Sequence, residues 1–143
     1  MKILIINGPN LNMLGLRESN IYGNTTYEEM KDDIKKYHDN VEFYQSNHEG
    51  DLIDKIHLCI NLKKYDGLVI NPGAYTHTSI AIMDALLILD IPKVEVHISD
   101  LEKREDFRKV SYTKLACDHT ISGHGIDGYK LAIDYILNQD NNN

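Results

Sequence analysis

Short apolar runs alternate along the chain with longer segments in which apolar residues recur at every third or fourth position. Runs of this kind predict buried strands, and the recurring positions predict amphipathic helices. The runs lie at Ile3–Asn7, Val41–Ser46, Leu68–Asn71, Val94–Ile98 and His119–Ser122. Because strands that alternate with helices are typical of a parallel sheet covered by helices, the pattern predicts an α/β fold. No linker or repeat interrupts the pattern, so we expect one domain over residues 1–143.

Capping residues and apolar spacing predict the helices in more detail. Thr25 and Glu28 have the spacing of a capping box at the start of the first helix, and Ser79 can cap the third. The positions expected to face the core are Tyr27, Met30, Ile34 and Tyr37 in the first helix, Leu52, Ile56, Cys59 and Ile60 in the second, and Ile80, Met83 and Leu87 in the third.

The C-terminal third of the chain has a weaker pattern. The charged segment Leu101–Lys114 allows a short helix, and the last helix is expected from about Ile126 to Leu137. Residues 138–143 are polar and have nothing to bury, so we expect this tail to fray.

Charge and cysteine content narrow the classes of partner. The 143 residues include 15 Lys and Arg against 22 Asp and Glu, a net charge of −7 that disfavours nucleic acid and anionic membranes as partners. Cys59 and Cys117 form no CxxC pair, which indicates free thiols in a reducing compartment rather than a disulfide framework. The apolar runs are too short for an export signal or a membrane span, so we expect a cytoplasmic protein.

Polar clusters follow every predicted strand. They are Asn7–Asn10, Asn47–Gly50, Asn71–Tyr75, His97–Asp100 and Gly123–Gly125. In an open parallel sheet, ligands bind outside the carboxyl ends of the strands. Any one cluster is explained by the turn-forming tendency of Asn and Gly, but five clusters at one edge indicate a site.

Several familiar motifs are absent or lack the right context. Gly123–Gly128 reads GxGxxG, but only 15 residues follow it, too few for a dinucleotide-binding unit. There is no P-loop, no HExxH pattern and no lysine within the five clusters, so we expect no nucleotide, metal or Schiff-base chemistry. Alternation along the fourth strand instead places Glu95 and His97 on one face, which suits a histidine oriented by a carboxylate.

The segment from Leu11 to Asn24 is long for a connection between a strand and a helix. It carries Arg17 and Tyr22 between Gly15 and Gly23, two glycines that can act as hinges. A functional lid is the favoured interpretation, and a surface excursion without a role is the alternative.

Four motifs in register give the chain a family resemblance. They are Asn7–Asn12, Asn47–Gly50, Asn71–Ser79 and Glu95–Ser99, and together they resemble type II 3-dehydroquinate dehydratase. The resemblance implies a flavodoxin-like, doubly wound five-stranded parallel sheet of order 2-1-3-4-5. It also implies reversible dehydration of 3-dehydroquinate to 3-dehydroshikimate in the shikimate pathway, without metal or other cofactor, by a homododecamer built as a tetramer of trimers.

The resemblance also assigns roles to individual residues. Tyr22 is expected to be the base, activated by Arg17 and Arg108, while Asn10 stabilises the enolate through an ordered water. His97 is expected to be the general acid, held in its tautomer by Glu95. The residues expected to bind substrate are Asn71, Gly73, His77, Ile98, Ser99 and Arg108, with Asp84 contributed by a neighbouring subunit. The alternative function is a flavodoxin-fold module that binds a small anion at the same strand ends without chemistry.

Overall fold

A single parallel sheet organises the computed structural model, which describes residues 1–16 and 19–141. The strands of the sheet are β1 (Ile3–Asn7), β2 (Val41–Gln45), β3 (Gly67–Asn71), β4 (Lys93–His97) and β5 (His119–Ser122). They lie in the order β2-β1-β3-β4-β5 and all pair in parallel. The predicted α/β fold and strand order are therefore confirmed.

Helices connect the strands and cover both faces of the sheet. They are α1 (Ser19–Tyr22), α2 (Tyr27–Tyr37), α3 (Glu49–Leu62), α4 (Ile80–Ile88) and α5 (Asp127–Asn141). Short 3-10 turns lie at Leu11–Met13, Gly73–His77, Leu101–Lys103, Asp106–Arg108 and Thr113–Ala116. Among the described residues, no helix combines the length and apolar composition needed to cross a bilayer.

Alternating strand residues divide the core into two layers, because successive side chains point to opposite faces of a sheet. One layer packs against α2 and α5 and includes Ile3, Ile5, Val69, Val94, Val96, Met30, Ile34, Ala132, Ile133 and Ile136. The other packs against α3 and α4 and includes Leu4, Ile6, Leu68, Ile70, Leu52, Ile56, Ile82 and Leu86. Both faces of the sheet are therefore dry, which explains the continuous apolar runs in the sequence.

The register of the sheet aligns the polar strand ends. Asn7 lies beside Gln45 of β2 on one side and beside Asn71 of β3 on the other. Farther along the same edge, His97 of β4 lies beside Ser122 of β5. Residues that are up to 115 positions apart in the chain are thus brought to one edge of the sheet.

The helix starts and faces differ from the predictions in three places, one of which is Tyr37 of α2, expected to face the core but 47% exposed. The capping residue of α2 is Thr26 rather than Thr25: its hydroxyl accepts a hydrogen bond from the Glu29 backbone N–H at 3.1 Å. Ser79 caps α4 as predicted, with the Ile82 N–H donating to its hydroxyl at 2.9 Å.

The predicted buried face of α4 is wrong. Ile80 and Leu87 are 51% and 59% exposed, and Met83 is only partly buried. The residues of α4 that enter the core are Ile82, Ala85 and Leu86. Because α4 is apolar on almost every side, the spacing of its apolar residues does not identify the face that packs on the sheet.

The C-terminal predictions also need adjustment. The polar tail does not fray at residue 138, because α5 continues as far as Asn141. The charged segment after β4 contains two short 3-10 turns, as its allowance for a short helix suggested.

Candidate active site

A small cavity opens at the carboxyl edge of the sheet, above β1, β3 and β4. Its volume is about 110 Å³, room for several water-sized groups and therefore for a small polar ligand rather than a nucleotide. It is lined by Pro9, Asn10, Leu11, Tyr22, Asn71, Gly73, Ala74, His77, His97, Ile98, Ser99, Leu101, Arg104 and Arg108. Three of the five polar strand-end clusters thus contribute lining residues to one cavity, whereas the sequence predicted that all five would meet at one edge.

Two backbone loops interlock at the floor of the cavity. A Cβ atom on Gly8 would lie 2.3 Å from the Pro72 carbonyl oxygen, so a larger residue cannot replace this glycine without moving a loop. Gly73 has a φ of +61°, in the left-handed region, and its N–H donates to the Asn71 side-chain oxygen at 3.1 Å. The close approach of the loops explains why Asn-Gly-Pro and Asn-Pro-Gly sequences follow β1 and β3.

Buried hydrogen bonds fix the orientation of the Asn71 amide. The Tyr129 hydroxyl donates to the Asn7 side-chain oxygen at 2.6 Å and accepts from the Asn71 amide nitrogen at 3.0 Å. The Asn71 oxygen accepts the Gly73 N–H and one amide N–H donates to Tyr129, so the second N–H of the Asn71 amide is left to donate to a ligand. Tyr129 is fully buried, and this burial raises the pKa of its hydroxyl, which remains neutral.

His97 and Glu95 form a buried pair on β4. The Nε2 atom of His97 is hydrogen-bonded to Oε1 of Glu95, so Nδ1 is the ring nitrogen left for the cavity. Glu95 is fully buried. Burial raises the pKa of its carboxyl, but the hydrogen bond and charge of His97, with hydrogen bonds from Ser111 and Thr76, bring that pKa below its ordinary value. Glu95 is therefore an anion behind the imidazole ring.

Tyr22 also lines the cavity, and it contacts an arginine that the sequence analysis did not select. Nη1 of Arg104 donates to the Tyr22 hydroxyl at 3.0 Å and to the Ser99 hydroxyl at 3.1 Å. The guanidinium carbon of Arg104 also lies 5.6 Å from the centre of the Tyr22 ring. A cation that donates to a phenol oxygen stabilises negative charge on it.

Arg108 is another residue expected to activate Tyr22. It lines the cavity, but its Nε atom pairs with Glu105 at 2.8 Å. Arg17, the other expected partner, lies outside the described residues. Tyr22 itself is only 9% exposed, so its side chain is buried rather than extended into solvent. Gly15 and Gly23 do adopt positive φ angles at the two ends of its segment.

His77 is poised as a hydrogen-bond acceptor. Its Nδ1 atom lies 2.6 Å from the Val110 carbonyl oxygen, and since a carbonyl only accepts, Nδ1 carries the proton. Burial lowers the pKa of His77, so the ring is neutral and Nε2 carries a lone pair. A substrate hydroxyl can therefore donate to His77.

The cavity brings together most of the predicted site residues. Asn10, Tyr22, His97, Asn71, Gly73, His77, Ile98, Ser99 and Arg108 line it. Asn10 has a left-handed backbone, with φ of 70°, and its N–H donates to the Asn47 side chain at 3.0 Å. Asp84 lies on the exposed side of α4 and is not among the described lining residues.

Residues 1–16 and 19–141 contain no group of His, Cys, Asp and Glu side chains placed to hold a metal ion.

Arg104 is the site residue that sequence reasoning missed. Its only signal was its place in a charged run after β4, and such runs are usually solvated surface.

Known proteins resemble this chain over nearly its whole length. A family model described as dehydroquinase class II matches residues 1–137. The 3-dehydroquinate dehydratase of Thermotoga petrophila is 54% identical over 140 residues, covering 95% of this chain and 94% of that protein. The protein of the same name from Carboxydothermus hydrogenoformans is 51% identical, covering 99% and 96%. The crystal structure of a type II dehydroquinase from Butyrivibrio crossotus superposes with a TM-score of 0.93 at 54% identity, covering 96% of this chain and 97% of that one.

Proposed function

The chain belongs to the class II dehydroquinase family, and from this membership we infer that it catalyses the reversible dehydration of 3-dehydroquinate to 3-dehydroshikimate, a step of the shikimate pathway. The assignment to this cavity rests on the two titratable side chains that line it, Tyr22 and His97. Arg104 donates a hydrogen bond to the Tyr22 phenol, and the buried Glu95 carboxylate holds the His97 imidazole. Elimination from a β-hydroxy ketone needs one group that removes a proton and another that supplies one.

Tyr22 removes the proton next to the ketone. Its phenolate is the base, and Arg104 stabilises the negative charge on the oxygen through the 3.0 Å hydrogen bond. The resulting enolate carries its charge on the former ketone oxygen. Asn10 stabilises this charge, directly or through a bound water, since a fixed dipole contributes most where charge develops.

His97 supplies the proton to the departing hydroxyl. As an imidazolium it carries a proton on Nδ1, the nitrogen that faces away from Glu95. Donation of that proton as the carbon–oxygen bond breaks releases water and leaves the ring neutral. Tyr22 ends the elimination protonated, so one net proton transfer from Tyr22 to His97 through solvent restores the starting state.

The remaining lining groups hold the substrate. The backbone N–H groups of Ile98 and Ser99 and the second N–H of the Asn71 amide donate to the substrate carboxylate. His77 accepts a hydrogen bond from a ring hydroxyl, and the Arg108 guanidinium donates to another. Gly73 leaves the loop backbone close to the substrate ring. A side chain at this position would meet Pro9.

The assembly belongs to the same proposal. We expect a cytoplasmic homododecamer, built as a tetramer of trimers, in which Asp84 of a neighbouring subunit completes each site. The exposed apolar side chains of α4 support this expectation: Ile80, Leu87 and Ile88 are 51–61% exposed on the helix that carries Asp84. The two free cysteines, Cys59 and Cys117, fit a reducing compartment.

The absorbance of the conjugated enone product tests the function directly. We expect purified protein to produce this absorbance from 3-dehydroquinate, and to do so equally well after treatment with EDTA. Binding of 3-dehydroquinate without any enone would instead favour the non-catalytic anion-binding module.

A further inference from the structure

Two hydroxyl groups donate to the carboxylate that holds the catalytic imidazole, and a third hydroxyl contacts those two. Thr76 Oγ1 donates to Oε1 of Glu95 at 2.9 Å, and Ser111 Oγ donates to the same oxygen at 2.8 Å. This is also the oxygen that faces His97. The Thr113 hydroxyl contacts the hydroxyls of both Thr76 and Ser111. We call Thr76, Ser111 and Thr113 the hydroxyl cluster.

Backbone contacts fix the positions of these hydroxyls. Thr76 belongs to the 3-10 turn after β3. Thr113 begins the 3-10 turn before β5, and Ser111 lies just before that turn. The Tyr112 N–H donates to the Thr76 carbonyl oxygen at 2.8 Å and so joins the two segments. The Lys114 N–H donates to the Ser111 hydroxyl at 3.2 Å. The cluster is therefore part of the rigid fold rather than a chance contact of mobile side chains.

Counting the hydroxyl protons shows which group donates each hydrogen bond in the cluster. An ionised carboxylate only accepts hydrogen bonds, so the hydroxyls of Thr76 and Ser111 point their protons toward Glu95. Each hydroxyl has one proton, and the described partners of the Thr113 hydroxyl are Thr76 and Ser111. Thr113 therefore acts as the outer donor, and its proton faces inward as well.

We propose that Thr113 is a positioning residue for the acid step, which it serves by keeping the hydroxyl cluster pointed at Glu95. An anion that is fully buried is unstable unless donors surround it, and the cluster supplies those donors. Glu95 then holds the Nε2–H of His97, and Nδ1 faces the cavity. Thr113 is fully buried and is not among the described lining residues, so its effect on catalysis passes through Glu95 and His97. The proposal rests on the acid role given to His97 above.

A matched pair of variants tests the hydroxyl separately from the packing. Thr113→Val removes the hydroxyl and keeps the shape of the side chain, whereas Thr113→Ser keeps the hydroxyl and removes a methyl group. Loss of one hydrogen bond in a buried network should lower kcat of Thr113→Val about three- to tenfold, with KM within about twofold of the wild-type value. Thr113→Ser should keep kcat within about twofold of the wild-type value. Equal losses in the two variants, or no loss in Thr113→Val, would overturn the proposal.

Exchange of the substrate α-proton with solvent provides a readout that packing damage would not produce. Thr113→Val should exchange this proton in D₂O at the wild-type rate while forming enone more slowly, because only the loss of hydroxyl is affected. Parallel loss of exchange and of enone formation would point to general damage and contradict the proposal. If Thr113→Val does not fold, Ser111→Ala, with Ser111→Thr as its control, tests the same donors by the same two measurements.

One further variant separates this proposal from the acid role itself. His97→Asn should strongly impair enone formation. If His97→Asn retains the wild-type rate, the acid role is wrong and the proposal falls with it. If His97→Asn is impaired and Thr113→Val is not, only the role of the hydroxyl cluster is wrong.

Discussion

Tyr22 and His97 line the same cavity, but the charged groups beside them have opposite signs. Tyr22 receives a hydrogen bond from the Arg104 cation, and His97 is bonded to the Glu95 anion. A neighbouring cation stabilises a deprotonated phenol, and a neighbouring anion stabilises a protonated imidazole. These contacts support the proposed base role of Tyr22 and the proposed acid role of His97.

Tyr22→Phe removes the proposed base while keeping the ring. We expect kcat to fall by about 10²- to 10⁴-fold, the usual effect of losing a positioned base, with KM changed only a few fold. The free energy of unfolding should fall by about 1 kcal/mol, because Arg104 loses one acceptor in a mostly buried contact. Enone assays and thermal unfolding measure the two effects.

Exchange of the α-proton makes the assignment of the base discriminating. Tyr22→Phe should abolish this exchange, whereas His97→Asn should leave it detectable, since loss of the hydroxyl follows proton removal. Near wild-type exchange in Tyr22→Phe would identify another residue as the base.

Arg104 is the residue whose role the structure adds. Arg104→Met should lower kcat roughly 10- to 100-fold, because a charge-assisted hydrogen bond to the Tyr22 oxygen is lost. Arg104→Lys should recover part of that loss, since it retains the charge without the geometry of the guanidinium group.

Arg108→Met is the matched control for Arg104. Arg108 lines the same cavity, but its Nε atom pairs with Glu105, so its loss should raise KM more than it lowers kcat. A larger loss of kcat in Arg108→Met than in Arg104→Met would reassign the partner of Tyr22.

At the scale of secondary-structure elements, patterns predicted the strands and the polar strand ends because both follow from local chemistry. Buried parallel strands are continuous apolar runs, and the turns after them need Asn, Gly and Pro at backbone positions such as Gly8 and Gly73. The buried face of α4 could not be predicted in this way, because a helix with apolar residues on nearly all sides has no unique face.

Contacts between distant segments were the second limit. Arg104 lies 82 residues from Tyr22 in sequence, and Thr113 lies 37 residues from Thr76. Nothing in the local pattern distinguishes Arg104 from the solvated charges beside it. The Glu95–His97 pair was predictable because its two members are two residues apart on one strand.

The edge strand β2 is tied to its neighbours by one carboxylate. Glu42 pairs with Lys2 at 2.8 Å and Lys64 at 3.0 Å, and it accepts a hydrogen bond from the Tyr65 hydroxyl. Hydrogen bonds from Lys2, Tyr65 and Lys64 lower the pKa of the Glu42 carboxyl from 4.5 to about 2. Glu42 thus links the N-terminus and the start of β3 to β2.

The depressed pKa of Glu42 sets a pH window for its effect on stability. Its contribution is complete above pH 4.5 and is lost as the pH falls toward about 2, where the folded protein also binds the proton. Glu42→Gln should therefore lower the free energy of unfolding by about 1 kcal/mol at pH 7, since its pairs are partly exposed. The corresponding loss in Tm is roughly 3–5 °C, and it should shrink steadily below pH 4.5.

Glu28→Gln is the control for Glu42→Gln. Glu28 forms an exposed pair with Lys31 at 3.0 Å on α2, and such pairs contribute little. The Tm of Glu28→Gln should stay close to the wild-type Tm both at pH 7 and below pH 4.5. A loss in Glu42→Gln that does not depend on pH would show that packing, rather than charge, is responsible.

At the scale of the whole molecule, α4 has two apolar sides, and only one of them packs against the sheet. Its inner side enters the core through Ile82, Ala85 and Leu86, and its outer side exposes Ile80 and Leu87. Asp84 lies on the same helix and is exposed. Contact through this outer side would bury the apolar residues and bring Asp84 against another subunit, as the proposed assembly requires.

Mixing two impaired chains tests whether Asp84 acts across a subunit boundary. Asp84→Ala should raise KM while leaving Tyr22 in place, and Tyr22→Phe should lower kcat while leaving Asp84 in place. If the two chains are co-expressed in equal amounts, about a quarter of the sites combine Tyr22 of one chain with Asp84 of its neighbour. Activity at low substrate concentration should then exceed that of either variant alone, with the mixed assembly verified by native mass spectrometry. Mixed oligomers without this gain would mean that Asp84 does not complete the site of a neighbouring chain.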